Sequence, residues 1–165
     1  MIAMRDGIRF RVWENFLLSF LFLFIFWALP AIAENAPQTP IEEAKRLFHR
    51  YIQLEAVFEP DIVDLYADEA VIKNIRIYPD GKKGAFLLTK DEYTDRLAVT
   101  MPAAAANMED VNYSDVTYGM EGDKVRINAT RHWQHKDYAA PFELLVGPRP
   151  RGGWGIYEEI SYSKG

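Results

Sequence analysis

The chain has 165 residues, no cysteine and a formal net charge of −5. The missing cysteines exclude disulfides, thiolate catalysis and cysteine-based zinc sites. The acidic balance argues against a nucleic-acid binder, which needs a basic stripe to displace phosphate counterions.

The first 33 residues read as an export leader. Arg5, Arg9 and Arg11 precede an uncharged apolar run from Phe16 to Leu29, Pro30 breaks it, and Ala31-Ile32-Ala33 supplies the small residues of a signal-peptidase site. Cleavage is expected after Ala33. The rival reading is an uncleaved anchor, because Asn15 to Ala33 approaches the roughly 20 residues that span a bilayer. Both readings put the folded part outside the cytoplasm, periplasmic or secreted, with membrane contact only if the leader stays. Without the leader, 16 Lys plus Arg stand against 22 Asp plus Glu, and no polybasic patch offers itself to anionic lipid. Beyond a linker at 34–38, residues 39–165 are expected to form one domain, large enough for a core without covalent staples.

Thr39-Pro40-Ile41-Glu42 combines a capping-box pattern with proline at the first helical position. Behind it Ile41, Ala44, Leu47, Phe48, Tyr51, Ile52 and Phe58 recur at helical spacing, which predicts an amphipathic helix. A short helix is expected from Pro60 to Tyr66, with Asp61 and Asp64 serving its first turn and solvated face. Ala70 to Tyr78 is strand-like and ends at the turn Pro79-Asp80-Gly81. In it, Ile75 and Ile77 are expected to face the helices and Arg76 solvent or a partner. A brief apolar run, Ala85 to Leu88, leads to the capping box Thr89-Lys90-Asp91-Glu92 and a helix to about Met101, with Pro102 as its end or a kink.

From Val111 the chain alternates as strands: 111–120 and 124–134 around Glu121-Gly122-Asp123, then 141–147 and 154–162 around 148–153. Helices first, a strand, a helix, and then a meander predict an α+β domain, a curved sheet with helices on one face.

The run Asp61-Ile-Val-Asp64-Leu-Tyr66-Ala-Asp68-Glu-Ala70-Val71-Ile72, the helix opening at Thr89-Lys-Asp-Glu-Tyr93 and the terminal Gly153-Trp154-Gly-Ile156 carry a resemblance. Over residues 40 to 163 the chain resembles the nuclear-transport-factor-2-like (NTF2-like) superfamily, of the kind that includes SnoaL-like polyketide cyclases and ketosteroid isomerases. The resemblance implies a cone-shaped, curved antiparallel sheet with the N-terminal helices on its concave face, a pocket between them and often a homodimer. Members range from isomerases and dehydratases to non-catalytic binding domains, so fold alone does not choose a function.

Alternation selects pocket candidates. Val125, Ile127, Ala129, Arg131 and Trp133 share one face of their strand, while Arg126, Asn128, Thr130 and His132 share the other. Trp154, Ile156, Glu158, Ile160 and Tyr162 share a face of the last strand, and Phe142, Leu144 and Val146 suggest the inward face between. Arg131 and Glu158 are therefore expected to line the cavity, either as an anchor for a small hydrophobic or anionic ligand stacked near Trp133, or as a structural salt bridge. Tyr51 lies on the apolar helix face, where its hydroxyl reaches the cavity or finds one core partner.

His132 and His135 have a spacing that chelates from a helix but diverges on a strand, so no metal site is expected. An isomerase-like site, by the resemblance, implies an aspartate base beside a tyrosine and a protonated acid. Tyr51 and Glu158 are the candidates for the latter two, Glu158 as the weak catalytic candidate, and no aspartate falls on a core-facing strand position. The expected functions are a binding or accessory domain, a cofactor-free isomerase or lyase, or an interaction subunit. The last would use the outer sheet face, with Tyr113, Tyr118 and Tyr157 as anchors, for a homodimer or a complex. No nucleotide or redox cofactor is expected outside the cytoplasm.

Overall fold

Pro40 sits where a helix needs no amide hydrogen, and Thr39 Oγ1 accepts from the Glu42 amide, so the first helix starts where the sequence marks it. A computed structural model describes residues 39–107, 110–134 and 137–164. The leader, its cleavage site and His135 lie outside the described residues. Helix α1 (Pro40–Ala56) buries Ala44, Leu47, Phe48, Tyr51, Leu54 and Glu55 along one stripe. A 3₁₀ turn, Pro60–Leu65, seats Ile62 beneath it. Helix α2 (Lys90–Ala106) carries the complete capping box, with Thr89 and Glu92 satisfying each other's amides. It continues through Pro102 into the alanine run, whose high helix propensity outweighs the break.

Six strands follow the expected order: β1 (Tyr66–Ile77), β2 (Lys83–Thr89), β3 (Val111–Glu121), β4 (Lys124–Trp133), β5 (Tyr138–Pro148) and β6 (Trp154–Lys164). They form one open, curved sheet in the order β2-β1-β6-β5-β4-β3. All neighbours are antiparallel except β1 and β6, which run parallel. The apolar run at Ala85 to Leu88 is thus a strand in its own right, the edge β2.

Gly122, at φ 65°, supplies the left-handed position of the β3–β4 hairpin. α1 packs across β3 to β6, and α2 across β1 and β2. Val125, Ile127, Leu144, Val146 and Ile156 are fully buried beneath α1, while the space under α2 stays open.

Three bulges set which side chains face in. β6 carries one extra residue, Tyr157, between the pairs Val146↔Ile156 and Leu145↔Glu158. β3 shifts register between Ser114 and Thr117, where Asp115 takes φ 53°. A third lies between Tyr66 and Val71 in β1.

A cavity floored by two buried carboxyls

Between α2 and the concave side of β1, β6 and β4 lies a cavity of about 500 Å³. Leu88, Leu97, Met101, Ala104, Val111 and Trp133 give it apolar walls, the ordinary composition of a small-molecule site. Its floor is polar and built from two acids.

The first acid, Glu55, ends the buried stripe of α1, one turn after Tyr51. Arg131 Nη2 donates to Glu55 Oε1, and the Tyr113 hydroxyl donates to Oε2 at 2.8 Å. The guanidinium lies 4.8 Å over the Trp133 ring and 5.7 Å from that of Phe142. Burial works against its charge, yet the neighbouring phenols and carboxylates outweigh that and hold its pKa well above the ordinary guanidinium value. Its Nε is buried without a hydrogen-bond partner.

The second acid, Glu159, is 2% exposed and accepts from the Tyr66 hydroxyl. The Tyr93 ring of α2 stands 5.4 Å from that of Tyr66. Glu159 has no ion-pair partner among the described residues. Burial pushes its carboxyl pKa up, Tyr66 and Arg131 pull it down, and the Glu55 charge pushes it up further; the net direction is upward.

Arg131 and Trp133 therefore line the cavity, as alternation along β4 predicts, but the Arg131 charge is taken up by Glu55. Glu158 does not reach the cavity. The extra residue at Tyr157 reverses alternation after Ile156, turning Glu158 outward to Arg126 Nη1 at 2.6 Å, with Arg126 also held by Glu121. Glu159 faces inward in its place. Tyr51 does not line the cavity either: it is 1% exposed and packed among Phe48, Phe142 and Tyr113.

The expected outer-face anchors Tyr113 and Tyr118 also point inward, opposite Arg131 and Ile127, because the β3 bulge changes parity between them. His132 remains on the outer face, its Nε2 2.8 Å from Ser114 Oγ. Arg76 is the last reversal. It shares the inward face with Ile72 and Asn74 and lines the cavity, whereas Ile75 and Ile77 face out. No group of three metal-ligating residues occurs among the described residues.

The raised Glu159 pKa makes a prediction. A native carboxyl that holds its proton more tightly than the unfolded chain does loses stability as pH rises from the ordinary carboxylate range through its own pKa. Within that window the loss approaches about 1.4 kcal/mol per pH unit. Glu159→Gln keeps an acceptor for Tyr66 and removes the ionisation. Urea unfolding between about pH 5 and 8 should then show the variant gaining on the wild type as pH rises. A wild-type-minus-variant difference that is flat with pH would contradict the assignment.

No protein-family model and no curated protein matches the sequence. Solved structures do match in three dimensions. An NTF2-like protein with a cystatin-like fold from Novosphingobium aromaticivorans is 13% identical, over 90% of this chain and 88% of that one, with TM-score 0.50. A Streptomyces avermitilis protein of the NTF2-like family, carrying a provisional dehydratase assignment, is 15% identical over 77% and 97% of the two chains, with TM-score 0.50. A chain of the yeast deubiquitinase Ubp3 and Bre5 cofactor complex is 13% identical over 74% and 94%, with TM-score 0.55. At these identities the likeness is one of fold, and that fold is the NTF2-like α+β cone.

Proposed function

We propose that this NTF2-like chain is an exported, small-molecule-binding domain, acting in the periplasm or outside the cell. The observation that carries the reading is the 500 Å³ cavity, whose apolar wall residues enclose a small set of polar groups with the two acids at the floor. An interior filled by side chains would speak for a purely structural subunit. Here the aromatic cluster of Phe48, Tyr51, Tyr113 and Phe142 fills the space under α1 and leaves the space under α2 open. The ligand this geometry suits has an apolar body and a carbonyl or hydroxyl oxygen directed at Glu159. Pairing of two copies through the outer sheet face, polar at Arg126, Asn128, Thr130 and His132, belongs to the same proposal.

The experiment is native mass spectrometry of the protein purified from its exported fraction. The expected result is a bound small molecule, displaced from the Leu97→Phe/Ala104→Phe double variant that fills the cavity. A wild-type protein that carries nothing and binds nothing from a panel of apolar carbonyl compounds, while co-purifying with another protein, would favour an interaction subunit instead.

A second reading is favoured by Glu159 itself. A buried carboxyl with no ion pair among the described residues, held by a tyrosine, has the protonation behaviour of a general acid or base. Proton transfer next to a substrate carbonyl, as in a cofactor-free isomerase or lyase, is the reaction class it fits. Exchange of α-hydrogens of cyclopent-2-enone in deuterated water, lost in Glu159→Gln, would support it; exchange unchanged in that variant would remove it.

A further inference from the structure

The inward faces of β1 and β6 lie in register along the cavity: Ile72 beside Glu159, Asn74 beside Ser161, Arg76 beside Ser163. At about 3.3 Å of strand per residue, Arg76 stands roughly 13 Å along the sheet from the Glu159 rung. The middle rung is self-sufficient. Asn74 Nδ2 donates to Ser161 Oγ at 3.2 Å, and Ser163 Oγ donates to Asn74 Oδ1 at 2.9 Å. An apolar body can lie across those groups without stranding them, with Leu97 and Met101 of α2 above.

The far end is different. Arg76 lines the cavity there from β1, and Arg96, an exposed residue of α2, borders the same cavity. Neither forms an ion pair among the described residues, and the Arg76 guanidinium carbon lies 5.6 Å from the Phe86 ring centroid instead. The Arg76 Nε is buried without a partner. The contrast with the other inward arginine is chemical: Arg131 pairs its charge with Glu55, whereas these two keep theirs, in a domain with excess acid. Two guanidiniums bordering one cavity suit a planar oxyanion, which their forked donors match better than an ammonium would.

We infer that the ligand is an elongated amphipathic carboxylic acid, its carboxylate between Arg76 and Arg96 and its body running along the Asn74–Ser161 rung toward Glu159. This rests on the pocket-binding reading and adds to it the charge, polarity and direction of the ligand. It also relocates the anionic anchor from Arg131, which the Glu55 pair occupies, to the other end of the cavity.

The test uses a matched pair of probes, 4-phenylbutanoate and its neutral counterpart 4-phenylbutanamide, titrated into the protein by calorimetry near pH 7.5. The acid should bind about tenfold or more tightly than the amide, the scale expected when a hydrogen-bonded charge loses its partner. Arg76→Gln and Arg96→Gln should each shrink that preference, and the double variant should abolish it. Neither residue holds an ion pair, and thermal unfolding of each variant checks that it folds. Equal binding of acid and amide by the wild type would overturn the inference and leave the pocket reading standing. Binding of neither, with the cavity-filling variant indistinguishable from wild type, would overturn both. A preference that survives the double variant would place the anion elsewhere and overturn it too.

Discussion

Replacing Arg131 by alanine should cost the domain about 3–5 kcal/mol of unfolding free energy, the penalty for breaking a buried ion pair from one side. The variant leaves Glu55, 7% exposed, with only the Tyr113 hydroxyl against its carboxylate, and uncovers one face of Trp133. A domain of this size should lose at least several degrees in Tm per kcal/mol. Removal of both partners is the telling control. Glu55→Gln combined with Arg131→Met takes away both charges and restores most of the lost stability, because two neutral groups cost the interior much less than one orphaned charge. Chemical denaturation of the two single variants and the double would measure this. A loss below about 1 kcal/mol for Arg131→Ala would mean that water reaches the pair as at any surface bridge.

Truncation of Phe142 should be of similar size, about 3–5 kcal/mol for Phe→Ala in a packed core. Its ring, 1% exposed, is 5.2 Å from Tyr113, 5.6 Å from Tyr51 and 6.5 Å from Phe48, measured between centroids. It is the piece that joins α1 to β5, so its loss leaves a void that neither rigid element can close. Phe142 also underlies Arg131. The two substitutions should therefore not add: a coupling of about 0.5–3 kcal/mol is expected for residues in direct contact. Additive losses in a double-mutant cycle would separate the aromatic cluster from the ion pair and rule out a single supported floor.

The fold was readable because its signals are local. Thr39-Pro40 and Thr89 with Glu92 mark helix starts by their own hydrogen bonding, and alternation along β4 orders Val125 through Trp133 without knowledge of any neighbour. The floor of the cavity was half readable. Arg131 and Trp133 follow from that alternation. Glu55 was also within reach, since it falls four residues after Tyr51 on the same helical stripe. Glu159 was not.

Period-two counting from Trp154 assigns the inward place to Glu158, and only the extra residue at Tyr157 hands it to Glu159. A bulge arises from pairing with another strand, so no pattern inside β6 announces it. Arg76 was misplaced for a different reason. Hydrophobicity puts Ile75 and Ile77 inward, but the parity of β1 is fixed by Ile72 in the core. Apolar side chains at the open end of the sheet therefore face outward while a charged one faces the cavity.

At Pro102 the hydrogen-bond ladder of α2 is interrupted. A proline has no amide hydrogen, so the Ala98 carbonyl, four residues earlier, has no helical donor, and the break falls one residue after Met101, the last buried anchor of the helix. The turn beyond, Ala103 to Ala106, is tied back by the Asn107 amide on the Ala103 carbonyl. Ala103 and Ala104 belong to the cavity's border. The roof is thus one continuous helix with Leu97 and Met101 buried before Pro102 and a short alanine turn after it. The last turn, which borders the cavity, is therefore held to the helix by one backbone bond fewer than the part that Leu97 and Met101 seat in the core.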